Sequence, residues 1–275
     1  MQARTAWHPP GGTLGRLSAQ AAARAGALQS REAELRDRLA LAPAAPSLEG
    51  AIRSGDRVAL IAEIKRRSPS KGVLDPSIDA PARAAEFARA GAAAISVLTE
   101  PGDFGGSNDD LVTVRQAVQV PVLRKDFHVH PIQLHEAKAL GASAALLILR
   151  AIGPEGTALM ASTARSIGIE VVFEVRSEEE LHWALDVDAR LIGVNRRNLE
   201  TLEIEDDVIR RIIPLVPSDR VAIAESGIST AADVADVAAL GADAVLVGSF
   251  LSAAGNVADS VRTLAGIPRG SPRHG

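Results

Sequence analysis

Of the thirty basic residues in this 275-residue chain only four are lysines, at positions 65, 71, 125 and 138, and all the others are arginines. Arginine is used wherever a solvated positive charge suffices. A lysine ammonium is compact and releases its proton when desolvated, whereas a guanidinium stays charged, so proton-transfer chemistry selects lysine. Lys65, in IAEIKRRSPSKG, and Lys125, in VLRKDF, stand at the ends of apolar runs, and Lys71 follows closely behind the first. Carboxylates end other runs: Glu63 beside Lys65, Glu174 in VVFEV and Glu225 in VAIAES. Asn195 and Arg197 close LIGVNRR, while Thr99-Glu100 and Asp126 occupy comparable places. Side chains of an extended segment alternate in direction. Glu63 and Lys65 therefore face one side, as do Asn195 and Arg197 if the extended geometry reaches that far. Such a set is suited to proton transfer between lysines and carboxylates. The same spacing also fits a structural Glu63–Lys65 ion pair, and any one strand-end charge is equally ordinary loop polarity.

The elements that must position these groups form a regular series. Eight short runs rich in Val, Ile and Leu occur at 58–64, 93–98, 120–125, 144–149, 169–175, 189–195, 220–225 and 243–248. Between them lie segments of helical period such as PARAAEFARAGA and TAADVADVAALGADA, the alternation expected of parallel strands joined by crossover helices. Gly-Ala at 91–92, 141–142 and 241–242 reads as a helix-ending glycine that feeds the next strand. Eight units in one chain favour a closed (β/α)8 barrel of the TIM type over an open sheet with two edges to protect. The expected layout is an N-terminal helical extension at 1–56, a barrel at 57–267 and a C-terminal tail at 268–275. Within the extension, Leu14 to Leu41 reads as helical, APAAPS as a linker and the first dozen residues as unordered.

Barrels of this kind place their chemistry at the C-terminal ends of the strands, often with a phosphate cradled after strands seven and eight. Ser226-Gly227 and Gly248-Ser249 fall at those two places, although glycine also serves as plain turn punctuation. Pro69, Phe104, Phe127, Leu146 and Leu199 lie near the same end of a chain with five Phe and no Tyr. A flat apolar portion of a ligand explains them, as does capping of the barrel top.

Composition excludes several classes. No cysteine is present, so disulfides, thiolate metal ligands and cysteine nucleophiles are ruled out. A formal charge of −4 offers no basic stripe for a nucleic acid. Neither a secretory signal at the N-terminus nor an apolar run of membrane-spanning length is evident. The expectation is a soluble, cytoplasmic protein.

Together, IAEIKRRSPSKG (61–72), SVLTE (96–100), FGGS (104–107), PVLRKDF (121–127), the Glu174 strand, GVNRRNLETLEI (193–204), AESGI (224–228) and VGS (247–249) strongly resemble the indole-3-glycerol phosphate synthase family. The likeness runs from about residue 47 to about residue 252. It implies ring closure of 1-(2-carboxyphenylamino)-1-deoxyribulose 5-phosphate with release of carbon dioxide and water, in tryptophan biosynthesis, with no cofactor and no metal. By this resemblance Lys125 is the general acid toward the substrate carbonyl and Glu174 the acid/base of the dehydration. Lys65 contacts the carboxylate and assists proton transfer, while Glu63 holds Lys65. Asn195 and Glu225 bind sugar hydroxyls, and Ser68 supports the anthranilate carboxylate. Arg197, Ser226, Gly227, Gly248 and Ser249 surround the phosphate, and Pro69, Phe104, Phe127, Leu146 and Leu199 line the aromatic slot. The implied partner is that small phosphorylated substrate, acted on by a monomer or weak homo-oligomer.

Three departures stand out. The N-terminal helix lacks the Lys-x-x-Glu pattern expected of the family, Ser249-Phe250 replaces a frequent Glu followed by a small residue, and HVHPIQLHEAK lacks the usual aromatic before Gln133. Other phosphate-binding barrels share the cradle, but a cysteine base is impossible here and the paired aspartates of histidine-pathway barrels are missing at strands one and five. A non-catalytic barrel is expected to have lost Lys65, Lys125 or Glu174, and all three are present.

Overall fold

In a computed structural model, which describes residues 8–42, 44–271 and 273, the eight apolar runs form eight parallel strands. They are β1 (Ala59–Ile64), β2 (Ala94–Leu98), β3 (Val122–Lys125), β4 (Ala144–Ile148), β5 (Glu170–Val175), β6 (Leu191–Asn195), β7 (Val221–Glu225) and β8 (Ala244–Val247). Each pairs with its sequence neighbour and β8 returns to β1, Ala244 opposite Ala59, so the sheet closes as a (β/α)8 TIM barrel. Closure leaves no strand edge exposed. Both faces of every strand are buried, which is why these segments read as continuous apolar runs rather than as alternation.

The crossover helices form where helical period and capping agree. Asp79 caps α4 (Ala80–Ala90), accepting from Ala82 N, and Gly91 ends it at φ 110°, a left-handed conformation open to glycine. Ser107 and Ser177 cap α5 (Asn108–Ala117) and α8 (Glu178–Asp186), and Thr230 caps α10 (Ala231–Ala239) in a reciprocal box with Asp233. The unusual His130 is itself a cap: with Gln133 it completes a box at the start of α6 (Pro131–Ala139). The barrel continues through α7 (Leu149–Ile167), α9 (Asp206–Ile212), α11 (Ser249–Ser252) and α12 (Val257–Ala265).

The N-terminal extension differs from the single helix expected. It contains α1 (Gly12–Gln29) and α2 (Glu32–Leu41), separated at Ser30 and Arg31, and then α3 (Leu48–Arg53) directly after the linker. Ser47 caps α3 by accepting from Gly50 N at 2.9 Å, and Leu48 N donates to Glu170 at the start of β5. Leu48 and Ile52, one turn apart, close the barrel floor beside Ala59, Val221 and Ala244. The expectation of an unordered first dozen residues is corrected from residue 8 onward: His8 O accepts from Arg150, Gly11 N donates to Glu200, and α1 begins at Gly12. Residues 1–7, Pro43 of the linker, and 272, 274 and 275 of the tail lie outside the described residues. Pro268 bridges Arg57, and Arg273 binds Asp243 at 3.0 Å beneath the floor. Among the described residues no helix is long and apolar enough to cross a membrane.

Inside the barrel the period of two builds layers. Ile61, Leu123, Val172 and Ile223, from alternate strands, are fully buried in the inner core. Two residues later the same four strands present Glu63, Lys125, Glu174 and Glu225 at the mouth.

Candidate active site

This upper layer places three almost fully buried carboxylates around one ammonium whose side chain is 16% exposed. Lys125 Nζ donates to Glu225 Oε2 at 2.5 Å and lies 3.8 Å from Glu174 Oε2. Burial alone pulls the Lys125 pKa down, but Glu225, Glu174 and Glu63 outweigh it, so the net shift is upward and the proton is held. Glu174 behaves differently. Burial, and then the Glu225 carboxylate, push it up to about 7 against the pull of Lys125 and Asn195. Neither of its oxygens completes a hydrogen bond, although the Asn195 amide lies close enough to favour its charged form. Near neutrality it is therefore both donor and acceptor, and it faces an open cavity.

Two glycines make this crowding possible. A Cβ on Gly193 of β6 would lie 2.3 Å from Glu225 Oε1, and one on Gly248 would lie 2.1 Å from Glu63 Oε1. The sequence suggests Gly248 only as part of a phosphate cradle; what its missing side chain provides in the structure is room for Glu63. Above the layer Lys65 Nζ meets Glu63 Oε1 at 2.7 Å, the pairing that their spacing suggests. Asn195 Oδ1 accepts from Arg197 N at 2.9 Å and from Ser226 Oγ at 2.8 Å, tying the ends of β6 and β7 together. A hairpin after β1, Arg67–Ser68 against Gly72–Val73, carries Ser68 and Pro69 over the mouth, and Ser68 Oγ accepts from Lys71 N.

All these groups open on one cavity of about 230 Å³, lined by every residue to which the family resemblance gives a role; Thr99, Glu100 and Lys138 are not among its lining residues. Phe104 and Phe127 flank it with ring centroids 6.2 Å apart, and Leu146, Leu199 and Pro69 extend the apolar wall. The two Phe line the cavity while packing in the inner core. Arg197, Ser226, Gly227, Gly248 and Ser249 line the same cavity. Ser226 and Gly227 are both left-handed, at φ 70° and 66°, which folds the chain back at the end of β7. Arg197 has no carboxylate partner among the described residues, and burial lowers its pKa. A half-buried cation with no acidic partner among the described residues, in a cavity also lined by small residues, is suited to receive an anion.

The model of the indole-3-glycerol phosphate synthase family matches residues 14–264. The chain belongs to this family. It is 47% identical to the indole-3-glycerol phosphate synthase of Kineococcus radiotolerans over 222 residues, 79% of this chain and 81% of that protein. The protein of that name from Mycolicibacterium gilvum is 45% identical over 84% of this chain and 85% of its own length. For that from Nocardioides sp. the figures are 49%, 76% and 80%. Among solved structures, thiamine phosphate pyrophosphorylase from Pyrococcus furiosus matches with a TM-score of 0.56 at 18% identity over 76% of this chain and 94% of that one, a likeness of fold alone.

The cavity also includes residues that sequence reasoning did not assign to the site, among them Leu202, Ile148 and Phe250. Ile148 was within reach, being the last inward position of β4 by the period of two. Other strand-end residues turn away from the mouth and build its walls. Glu100 accepts from the backbone of Gly102, Asp103 and Phe104, and so shapes the loop carrying Phe104. Asp126 accepts from Thr99 Oγ1 and pairs with Arg24 of α1 at 2.7 Å. Burial opposes its ionisation, but Arg124, His128 and Arg24 together hold its pKa low. His128, the first residue of HVHPIQLHEAK, has a structural place: the ring is buried with Nδ1 on Leu146 O, and burial lowers its pKa to about 4.

Proposed function

We propose that this cavity closes the indole ring of 1-(2-carboxyphenylamino)-1-deoxyribulose 5-phosphate, giving indole-3-glycerol phosphate, carbon dioxide and water. The observation that carries the assignment of roles is Lys125, a proton-holding lysine set between Glu225 and Glu174 at the foot of an apolar slot. Lys125 gives its proton to the sugar carbonyl oxygen while the ring carbon bearing the carboxylate attacks the carbonyl carbon. The carbonyl electron pair moves to oxygen, and loss of carbon dioxide returns a pair to the ring and restores aromaticity. Glu174 then serves the dehydration, protonating the departing hydroxyl and taking a proton from the adjoining methylene carbon next to nitrogen, whose C–H pair becomes the double bond of the five-membered ring, a double duty suited to a pKa of about 7. Electron pairs stay within the substrate throughout, so the scheme calls for neither a redox cofactor nor a metal.

Lys65 meets the anthranilate carboxylate and assists proton transfer, oriented by Glu63, with Ser68 supporting the same carboxylate. Asn195 and Glu225 take the sugar hydroxyls. Arg197 with the small residues after β7 and β8 holds the phosphate, and Phe104, Phe127, Pro69, Leu146 and Leu199 hold the ring. Fixing both ends presses the ring carbon against the carbonyl, which accounts for much of the rate enhancement such sites achieve. The reading includes a cytoplasmic enzyme that acts alone or as a weak homo-oligomer and binds no nucleic acid. Its test is turnover of the carboxyphenylamino substrate followed by indole fluorescence; absence of product from a folded sample overturns it.

A further inference from the structure

Leu202 lines the cavity at φ 69°, a left-handed backbone that a leucine adopts only when its surroundings impose it. The segment after β6 is a tight hairpin: Arg197 bridges Ile204, Asn198 N donates to Glu203 O, and Leu202 N donates to Asn198 O at 2.6 Å. Asn198 Oδ1 accepts from Glu200 N and Thr201 N, so the turn is fastened from within. In hairpins of this shape the left-handed position falls naturally to glycine. Here the reversed backbone turns the Leu202 carbonyl back to the start of the hairpin, where it accepts from Arg197 Nη1 at 2.7 Å. Among the described residues that is the one hydrogen bond holding the Arg197 guanidinium, and no acidic partner meets it.

We infer that Leu202 is a positioning residue for the anion end of the site: its left-handed backbone aims Arg197 at the substrate phosphate through a carbonyl bond. The inference rests on the reading of Arg197 as a phosphate ligand. A carbonyl is a fitting guide for this role. It fixes one nitrogen of the fork without neutralising the charge, whereas a carboxylate would compete with the phosphate. The remaining donors stay free for the ligand.

Two readouts test it, the inhibition constant of inorganic phosphate against the substrate and the split between KM and kcat. Leu202→Val disfavours the left-handed backbone, and it should raise both the phosphate inhibition constant and KM about tenfold, the cost of one charge-assisted hydrogen bond, with kcat within about twofold. Leu202→Gly and Leu202→Asn, which accept that conformation, should keep the phosphate inhibition constant within about twofold of wild type. Should the Val variant fail to fold, Leu202→Ala gives the same ordering at smaller amplitude. Equal losses in the Gly, Asn and Val variants make the side chain, not the carbonyl, the active feature and overturn the inference. So does an unchanged inhibition constant in Leu202→Val while Arg197→Met raises it. An unchanged constant in Arg197→Met overturns the phosphate reading itself and the inference with it.

Discussion

Ile61, Leu123, Val172 and Ile223 and the residues two places further along the same strands, Glu63, Lys125, Glu174 and Glu225, share one backbone geometry under opposite physics. In the lower layer each side chain leaves water for an apolar interior, a gain of about 1.5–3 kcal/mol apiece. In the upper layer the same burial penalises every charge. Three carboxylates around one ammonium leave the layer with a surplus of negative charge. The surplus tightens the proton on Lys125 against the effect of its burial, whereas Glu174 is held back from ionising first by burial and then by the Glu225 carboxylate. The strands thus spend in the mouth part of the stability that their lower halves supply, and acquire one fixed proton and one labile one.

The sharpest way to break this contrast is at Lys125. Lys125→Ala should lower kcat by about 10²-fold or more with a modest change in KM, the loss expected of a positioned general acid. A kcat within about twofold of wild type would move the acid elsewhere. Lys65 sits one step outside the layer, paired with Glu63 at 2.7 Å. Lys65→Met should cost about tenfold to 10²-fold in kcat, and Lys65→Arg should recover little of it, because the wider guanidinium crowds Glu63 and gives up no proton. The check is kcat across pH for both variants, with folding followed by circular dichroism. Recovery by Arg of most of what Met loses reduces Lys65 to a charge.

The two layers were not equally legible. Strand positions could be read to within one or two residues because strands buried on both faces are nearly uninterrupted Val, Ile, Leu and Ala. From there the period of two separates inward Lys125 from outward Arg124 and Asp126. Scarcity of lysine drew attention to Lys65, Lys71 and Lys125, which line the mouth, but equally to Lys138, which binds the Ile167 and Gly168 carbonyls instead; the proposed roles came from likeness to a family, since spacing alone also allows ion pairs. Three features left no readable trace. A six-residue helix such as α3 is too short to show a period behind a Pro-rich linker. The break at Ser30 and Arg31 contains neither Gly nor Pro. Leu202 is left-handed because of the hairpin around it, and a leucine does not announce that conformation.

Glu174 sharpens the comparison through pH. Folded, it takes up its proton near 7; unfolded, it does so in the ordinary carboxylate range, so between these values the folded chain holds the extra proton. The stability it contributes is therefore present below the ordinary range and is lost as pH rises through 7. Glu174→Gln does not titrate. Its stability relative to wild type should improve as pH rises from about 5 to about 8, while kcat falls and loses its limb near 7. Denaturant midpoints for both chains at the two pH values, with the rate profile, provide the check. A difference between the chains that is independent of pH would place Glu174 outside the repulsion that defines the layer.

The smallest effect belongs to the lower layer, and it asks whether that layer is only a support. Ile223 is fully buried two residues before Glu225, whose carboxylate receives the Lys125 ammonium. Ile223→Val removes one methylene and keeps the branched shape that suits a strand, so the cost should be about 0.5–1.5 kcal/mol. Because the backbone of β7 is held by β6 and β8 on either side, Glu225 should stay in place. Activity should then remain within about twofold of wild type while the unfolding midpoint drops. Denaturant unfolding and kcat on the same preparation separate the two. A tenfold fall in kcat at this modest stability cost would show that the packing of the apolar layer sets the Glu225–Lys125 geometry, and the division between a supporting layer and a reacting one would have to be given up.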